Sequence, residues 1–389
     1  MTPVCSDTQT YNTAVNLADV EFVSGQSARQ IPFELVGNHI YLRARVNEGQ
    51  FVWLLLDTGA TASYFDAQKA KALQLAGESE SIKVTISFPG VRLRNQKFSL
   101  QPLTFGVYDG HAVDGLLGYD FINRFVVEIN YISRTIDLND PLRYHYTGSG
   151  HAFPLVMLED DSGGKVPLVR ARITQSGHKP IDGNFIADIA VRNAINFNTP
   201  FVEHNTMLQA TRKTIQAILG GGAMVRESTQ PLGRVPTIQL GPFTLKNSLA
   251  VFFQDKRGIL ASPEFDGVIG GEILRRFRVV FDYSRNQMFL EANRYFSEPY
   301  EYDMSGALLI AEGTEFNIFK VRQLIENSPA MTAQLHEGDV IAAVDGKPAS
   351  KLTLEQVRQM FKKEGRTYLL SVKRGDQELQ IRIRLQKLV

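Results

Sequence analysis

Residues 114–138, DGLLGYDFINRFVVEINYISRTIDL, align without a gap on residues 266–290, DGVIGGEILRRFRVVFDYSRNQMFL. Eight of the 25 positions are identical (Asp114/Asp266, Gly115/Gly267, Gly118/Gly270, Arg124/Arg276, Phe125/Phe277, Val127/Val279, Tyr131/Tyr283 and Leu138/Leu290), and six further pairs are apolar on both sides. This repeat constrains the fold more than any other feature, because both copies must form the same local structure and bury the same faces. It extends upstream, where LRARV at 42–46 echoes VRARI at 169–173, each alternating as a half-buried strand does. A short loop and a second apolar strand follow each time. The first of these ends as VWLLLD on Asp57 and the second as NFIAD on Asp188. Two lobes are implied, each presenting one carboxylate at the end of an equivalent strand.

A carboxylate at the end of a buried strand is costly unless it is hydrogen-bonded or neutralised. Two such acids from symmetry-related lobes, within hydrogen-bond range, cannot both ionise easily, so the pair holds one proton. The ionised partner can draw a proton from a water lying between them while the protonated partner polarises a scissile carbonyl. That is direct hydrolysis of an amide, with no covalent intermediate and no metal. The flanking residues suit it: Gly59 lets the backbone approach the carboxylate and donate an N–H, and Thr58 can hydrogen-bond across to the opposite lobe. Leu54 to Leu56 anchor the turn.

Between acid and glycine each lobe has further strand-like runs, IKVTISF (82–88) with a Pro89-Gly90 turn in the first, TIQL (237–240) and SLAVFF (248–253) in the second. The separation is 118 − 57 = 61 residues in lobe one and 270 − 188 = 82 in lobe two. The excess lies around EHNTMLQATRKTIQAILGGG (203–222), which reads as a helix ended by glycine. Gly220-Gly221-Gly222 lacks the following Lys-Ser/Thr of a phosphate cradle and reads as a loop or flap beside the cleft.

DTGA at 57–60, followed some sixty residues later by Leu116-Leu117-Gly118, resembles the aspartic proteases of the retropepsin and pepsin clan. VDGLLGYDFINRF is similar in particular to the bacterial retropepsin-like enzymes. The resemblance covers about 31–297. It implies that Asp57 is a catalytic acid and that Leu116-Leu117-Gly118 and Val268-Ile269-Gly270 form the strands packed under the two acid loops. Position 60 is Ala rather than Ser or Thr, so no hydroxyl stabilises the carboxylate there, and the pair is expected to be less acidic than pepsin's.

Lobe two departs from the pattern. Asp188 is followed by Ile189-Ala190-Val191, where an intact second site would read Thr or Ser and then Gly. Ile189 cannot donate a cross-lobe hydrogen bond, and the methyl of Ala190 sits where it would crowd the carboxylate. Three readings stay open: Asp57 and Asp188 form an intramolecular pair; two chains bring Asp57 against its own copy; or Asp188 is a structural acid and nothing is cleaved.

From Tyr302 onward short strands surround one amphipathic helix, with Leu354, Val357, Met360 and Phe361 spaced as one face. ENSPAMTAQLHEGDVIAAVDGKP resembles a PDZ domain, and the resemblance covers about 305–389. It implies that an extended peptide is added as a strand beside a helix, with its terminal carboxylate held by a Gly-apolar loop. By match to that loop, Gly306-Ala307-Leu308-Leu309 would be the cradle, and Leu308, Leu354, Val357 and Met360 would line the groove. Part of this apolar set must be core, and Val357 reads equally well as packing inward.

Composition excludes other classes. Lys plus Arg total 42 against 41 Asp plus Glu, so no broad electrostatic case exists for nucleic acid or an anionic membrane. The single cysteine, Cys5, excludes an internal disulfide and a Cys-based zinc cluster, and the seven histidines show no HExxH spacing. No metal and no cofactor are assigned. No GxSxG occurs, which argues against serine hydrolysis. Asp114, Asp266, Arg124 and Arg276 read as structural despite recurring in both lobes, and Tyr64 and Phe88 as nearby aromatics without a role. There is no spanning run of about 18 apolar residues and no basic start followed by an apolar segment. The chain therefore reads as soluble, and a removed export signal is compatible with that.

The expected architecture is mostly β: a tail over 1–30, acid-protease-like β-barrel lobes over 31–145 and 146–297, and a small α+β PDZ domain over 303–389. The expected partners are a peptide or protein substrate and a protein C-terminus in the PDZ groove. The resemblance implies a bacterial protein acting in the periplasm or outside the cell.

Overall fold

The computed structural model describes residues 17–77, 79–219 and 228–389. Gly220-Gly221-Gly222, and the first half of the tail, lie outside the described residues. Three sheets carry the fold, with the acid-bearing strands at the centre of the first two and the PDZ domain forming the third.

The repeat is expressed as a pseudo-twofold. Strands Val126–Asn130 and Phe277–Asp282 pair antiparallel across the lobes, with Glu128 opposite Val280 and Asn130 opposite Arg278. The repeat offset is 266 − 114 = 152 and 280 − 128 = 152, so Glu128 pairs with its own counterpart and the symmetry axis passes through that pair. Ser27–Val36 and Thr135–Asn139 flank this centre on one side, Gln287–Ala292 and His151–Pro154 on the other. The sheet is buried on its inner face by Val127, Ile129, Val279 and Phe281, which belong to one continuous core. The tail is partly ordered structure: Val20–Phe22 pairs with Val91–Gln101, so lobe one's barrel begins before residue 30.

Each lobe repeats one topology. In lobe one His39–Val46 pairs with Phe51–Leu56 and with the first strand of the Ser81–Phe88/Val91–Gln101 hairpin. In lobe two Lys165–Thr174 pairs with Ile181–Ala187 and with Ser228–Leu240, which forms a hairpin with Phe243–Phe252. From 205 to 219 the helix expected over 203–222 is not formed. A helix does start upstream, at Thr199–His204, capped by Asn198, but Thr214–Leu219 is a strand paired with Ser228–Leu240 from Thr214↔Gly233 to Leu219↔Ser228. TIQAIL has the composition for either state, and an available sheet edge decides it. This added strand lies within lobe two's excess length.

The PDZ domain has its own core, including Leu309, Phe319, Leu354, Val357, Phe361 and Leu370. Its helix Leu354–Met360 starts with a full capping box between Thr353 and Gln356. Among the described residues no helix is long and apolar enough to cross a membrane.

Candidate active site

One device sets both acids. Phe51–Leu56 runs parallel to Gly115–Leu117, and Ile181–Ala187 runs parallel to Gly267–Ile269. The pairing continues one residue past each strand: Asp57 N–H donates to the Leu117 carbonyl and Asp188 N–H to that of Ile269, both at 2.9 Å. The loops then fold back over Gly118 and Gly270, where a Cβ would strike the carbonyl oxygens of Ala62 and Ala60 in one lobe and of Asn193 and Val191 in the other. Leu117, Gly118, Ile269 and Gly270 therefore lie under the acid loops.

The structure brings Asp57 and Asp188 together in one chain, with the Asp188 carboxylate set against Gly59 of the Asp57 loop and each acid in the other's immediate surroundings. Each residue is only 9% exposed. Gly59 N–H donates to Asp57 Oδ1 at 2.8 Å and Ala190 N–H to Asp188 Oδ1 at 2.7 Å. Burial, reinforced by the neighbouring Asp188 charge, pushes Asp57 well above the usual carboxylate range. Burial raises Asp188 as well, against the Ala190 N–H and the charge of His39. Two buried acids in contact retain a proton at a pH where isolated ones are ionised.

Thr58 makes the cross-lobe bond expected of it: Oγ1 donates to the Ala187 carbonyl at 2.8 Å and accepts from Ile189 N–H at 3.1 Å. The Ile189 side chain has no hydroxyl to make the reciprocal bond and is buried in the core. Half of a symmetric clamp is thus present. Ala190 does not force the acids apart, because its methyl is taken up in a buried cluster with Tyr41, Leu55, Phe105 and Leu116. Ala60 offers its carbonyl to Tyr119 N–H at 2.9 Å and an N–H to Asp57.

Asp114 and Asp266 do equivalent structural work, accepting from Trp53 N–H at 2.8 Å and Asn184 N–H at 2.7 Å. Arg124 and Arg276 each donate Nε to the carbonyl four residues back, and Arg276 lies fully buried over the Tyr300 ring at 3.7 Å. Phe88 is core, set edge-on to Phe121. Tyr64 is half-buried near Asp160 and Asp57.

Sequence reasoning missed a hub behind the second acid. Asp109, at the end of the helix Phe105–Asp109, is buried and accepts from His39 Nδ1 at 2.7 Å, from the Tyr41 hydroxyl and from Arg192, four residues beyond Asp188. Burial alone would raise its pKa, but the His39 and Arg192 charges and these hydrogen bonds hold it well below the usual carboxylate range. Nothing in the local pattern around Asp109 marks it, since its partners come from two distant segments, the strand carrying His39 and Tyr41 and the loop after Asp188. Tyr283 was visible only as a repeat position; it is buried, its hydroxyl has no partner among the described residues, and it lies near both acids.

In the PDZ domain Gly306 adopts φ +76, Ala307 and Leu309 are buried and Leu308 is half-exposed. Leu354 and Val357 are fully buried core residues, and Met360 packs against that core. Gly306 N–H is already engaged by Asp303 Oδ1 at 2.8 Å and Ala307 N–H by Ser305 Oγ at 3.0 Å. A cavity of about 810 Å³ separates this loop from lobe two, lined by Arg192, Leu232, Leu249, Leu308, Ile325 and Arg358 among others. Neither acid lines it. No group of three or more His, Cys, Asp or Glu suited to a metal occurs among the described residues.

Residues 42–121 match the family described as aspartyl protease, and residues 306–385 match the PDZ domain family. No curated protein matches the chain. Among solved structures, the aspartic proteinase from Irpex lacteus aligns over 99% of its own chain and 70% of this one, at 10% identity and a TM-score of 0.43.

Proposed function

We propose that this chain, an aspartyl protease domain joined to a C-terminal PDZ domain, hydrolyses peptide bonds with Asp57 and Asp188 acting as one acid–base pair. The observation that carries the reading is the juxtaposition of the two buried carboxyl groups, Asp188 lying against Gly59 of the Asp57 loop, on loops related by the internal pseudo-twofold. The ionised member of the pair takes a proton from a water while the protonated member gives its proton to the carbonyl oxygen. The water oxygen bonds to the carbonyl carbon and a gem-diol forms. The newly protonated carboxyl then gives its proton to the amide nitrogen while the other carboxylate takes one from a gem-diol hydroxyl; the C–N bond breaks, the carbonyl re-forms as a carboxylic acid, the amine leaves, and the pair again holds one proton. Thr58 and the N–H groups of Gly59 and Ala190 hold the carboxylates in register, which favours the transition state without further reorganisation.

A homodimeric site, with Asp57 facing its own copy, would have to break the contact this chain already makes. The PDZ domain is read as recognising peptide or protein C-termini and so as recruiting substrate or governing access.

Cleavage of a diverse peptide library across acid to neutral pH, by wild type, Asp57→Asn and Asp188→Asn with mass-spectrometric detection, tests the reading. Loss of cleavage in both variants is expected. Loss in Asp57→Asn alone would favour the homodimer. No cleavage by wild type at any pH would leave a peptide-binding protein with a protease fold.

A further inference from the structure

The PDZ strand Ala307–Glu312 is an edge strand, paired on one side only, with Ile318–Leu324. Its free edge and the helix Leu354–Met360 bound the groove in which a PDZ domain receives a peptide. That groove is not empty. The lobe-one helix Phe105–Asp109 packs along Ala307–Glu312. Gly110, the residue that ends this helix at φ +67, sits between the two groove walls: a Cβ there would lie 2.8 Å from Leu354 Cβ and 3.4 Å from Ala311 Cβ. At the opening of the same helix, a Cβ on Gly106 would lie 3.3 Å from the Phe316 ring.

The carboxylate end of the groove is also internally engaged. Asp303 Oδ1 accepts from Ser305 N–H and Gly306 N–H, both at 2.8 Å, as a terminal carboxylate would. Arg358 reaches from the helix to donate Nη2 to the Leu309 carbonyl at 3.0 Å, while its Nη1 is shut off from solvent with no hydrogen-bond partner among the described residues. Burial and the nearby Arg192 charge lower the Arg358 pKa to about 9. A cation left partly unsatisfied destabilises the closed arrangement and favours any anion that can reach it.

The segment filling the groove is tied to the acids. Phe105 packs in the cluster that includes Ala190, two residues after Asp188, and Asp109 holds Arg192. We propose that the PDZ groove is occupied by the protein's own Phe105–Gly110 segment, and that a peptide with a free C-terminal carboxylate binds by displacing it, releasing Asp109 from the loop that carries Asp188. This rests on the reading of the PDZ domain as a site for C-termini. The ligand is an extended peptide whose carboxylate approaches Arg358 through the cavity beside Leu308, and whose strand replaces Gly110 alongside Ala311. Two ligands of one groove compete, so the apparent affinity is the intrinsic one multiplied by the fraction of time the internal segment is absent.

A methyl at Gly110 would lie 2.8 Å from Leu354 Cβ, in a backbone conformation (φ +67) that side chains resist, so Gly110→Ala loosens the segment from the groove. Full-length wild type, Gly110→Ala and Phe316→Ala are titrated by fluorescence anisotropy with a peptide library carrying free or amidated C-termini. Gly110→Ala is expected to bind free-carboxylate peptides at least about tenfold more tightly than wild type. Phe316→Ala, which removes the ring set against Gly106, is expected to bind them at least about threefold more tightly than wild type. Amidated peptides should bind none of the three, and the susceptibility of Arg192 to limited tryptic cleavage should rise on peptide binding to wild type. Wild-type affinity in both variants overturns the internal occupant and leaves the PDZ reading standing. Binding of no free-carboxylate peptide by any form overturns the PDZ reading and this inference with it.

Discussion

The Asp188 carboxylate lies directly over the Cα of Gly59, so that a methyl group at position 59 would overlap it. The glycine of the DTGA loop is therefore needed for the space it leaves to the opposite lobe's acid, beyond any backbone freedom. Gly59→Ala is expected to push Asp188 off Asp57 and to lower kcat by about a hundredfold, since a displacement near 1 Å at reacting groups has that effect. Steady-state kinetics on a cleaved library peptide, with circular dichroism to show an intact fold, checks this.

Thr58 makes its interlobe bond between the two acid loops without a reciprocal side-chain partner. Thr58→Val removes both the bond to the Ala187 carbonyl and the acceptor for Ile189 N–H, with no reciprocal hydroxyl to compensate. A loss of about 1–3 kcal/mol in urea denaturation is expected, and Thr58→Ser should recover most of it.

The acid pair makes stability depend on pH with a definite sign. Asp57 and Asp188 are raised in the folded chain, so their favourable contribution is complete below the unfolded value of about 3.9 and is lost as pH rises through the folded values. Asp57→Asn removes that loss. It is expected to melt at a higher temperature than wild type at pH 7 and to lose this advantage below about pH 4. The same raised pair, with Ala60 in place of a hydroxyl, places peptidase activity toward neutral pH. An optimum below about pH 3, the range of pepsin's dyad, would count against this.

Asp109 should behave oppositely. Its pKa is lowered on folding, so the stability it contributes is present above about pH 3.9 and disappears as pH falls through its folded value. Asp109→Ala leaves His39 and Arg192 without their common partner, and a loss of about 3–5 kcal/mol at neutral pH is expected, smaller in acid. Chemical denaturation at several pH values reads both effects.

The helix expected over 203–222 shows where local reading stops. TIQAIL satisfies a helical run and a strand about equally, and only the free edge of Ser228–Leu240 selects the strand. The groove residues show the same limit. Leu354 and Val357 recur at helical spacing whether they face a ligand or the core, and packing assigns them to the core.

The duplication, the parallel fate of Asp57 and Asp188 at strand ends, the glycines beneath them, and a separate C-terminal domain are all legible in residue order. These are short-range patterns, readable because one strand or turn needs a particular period or a missing Cβ. Lobe packing, by contrast, is what brings Asp188 onto Gly59 despite a degenerate Ile189-Ala190 loop, and what makes Glu128 and Val280 meet on the symmetry axis. It alone also joined His39, Asp109 and Arg192, and laid Gly110 between Ala311 and Leu354. Those contacts link residues from tens to hundreds of positions apart. Their geometry is set by how whole lobes pack, which no local period encodes.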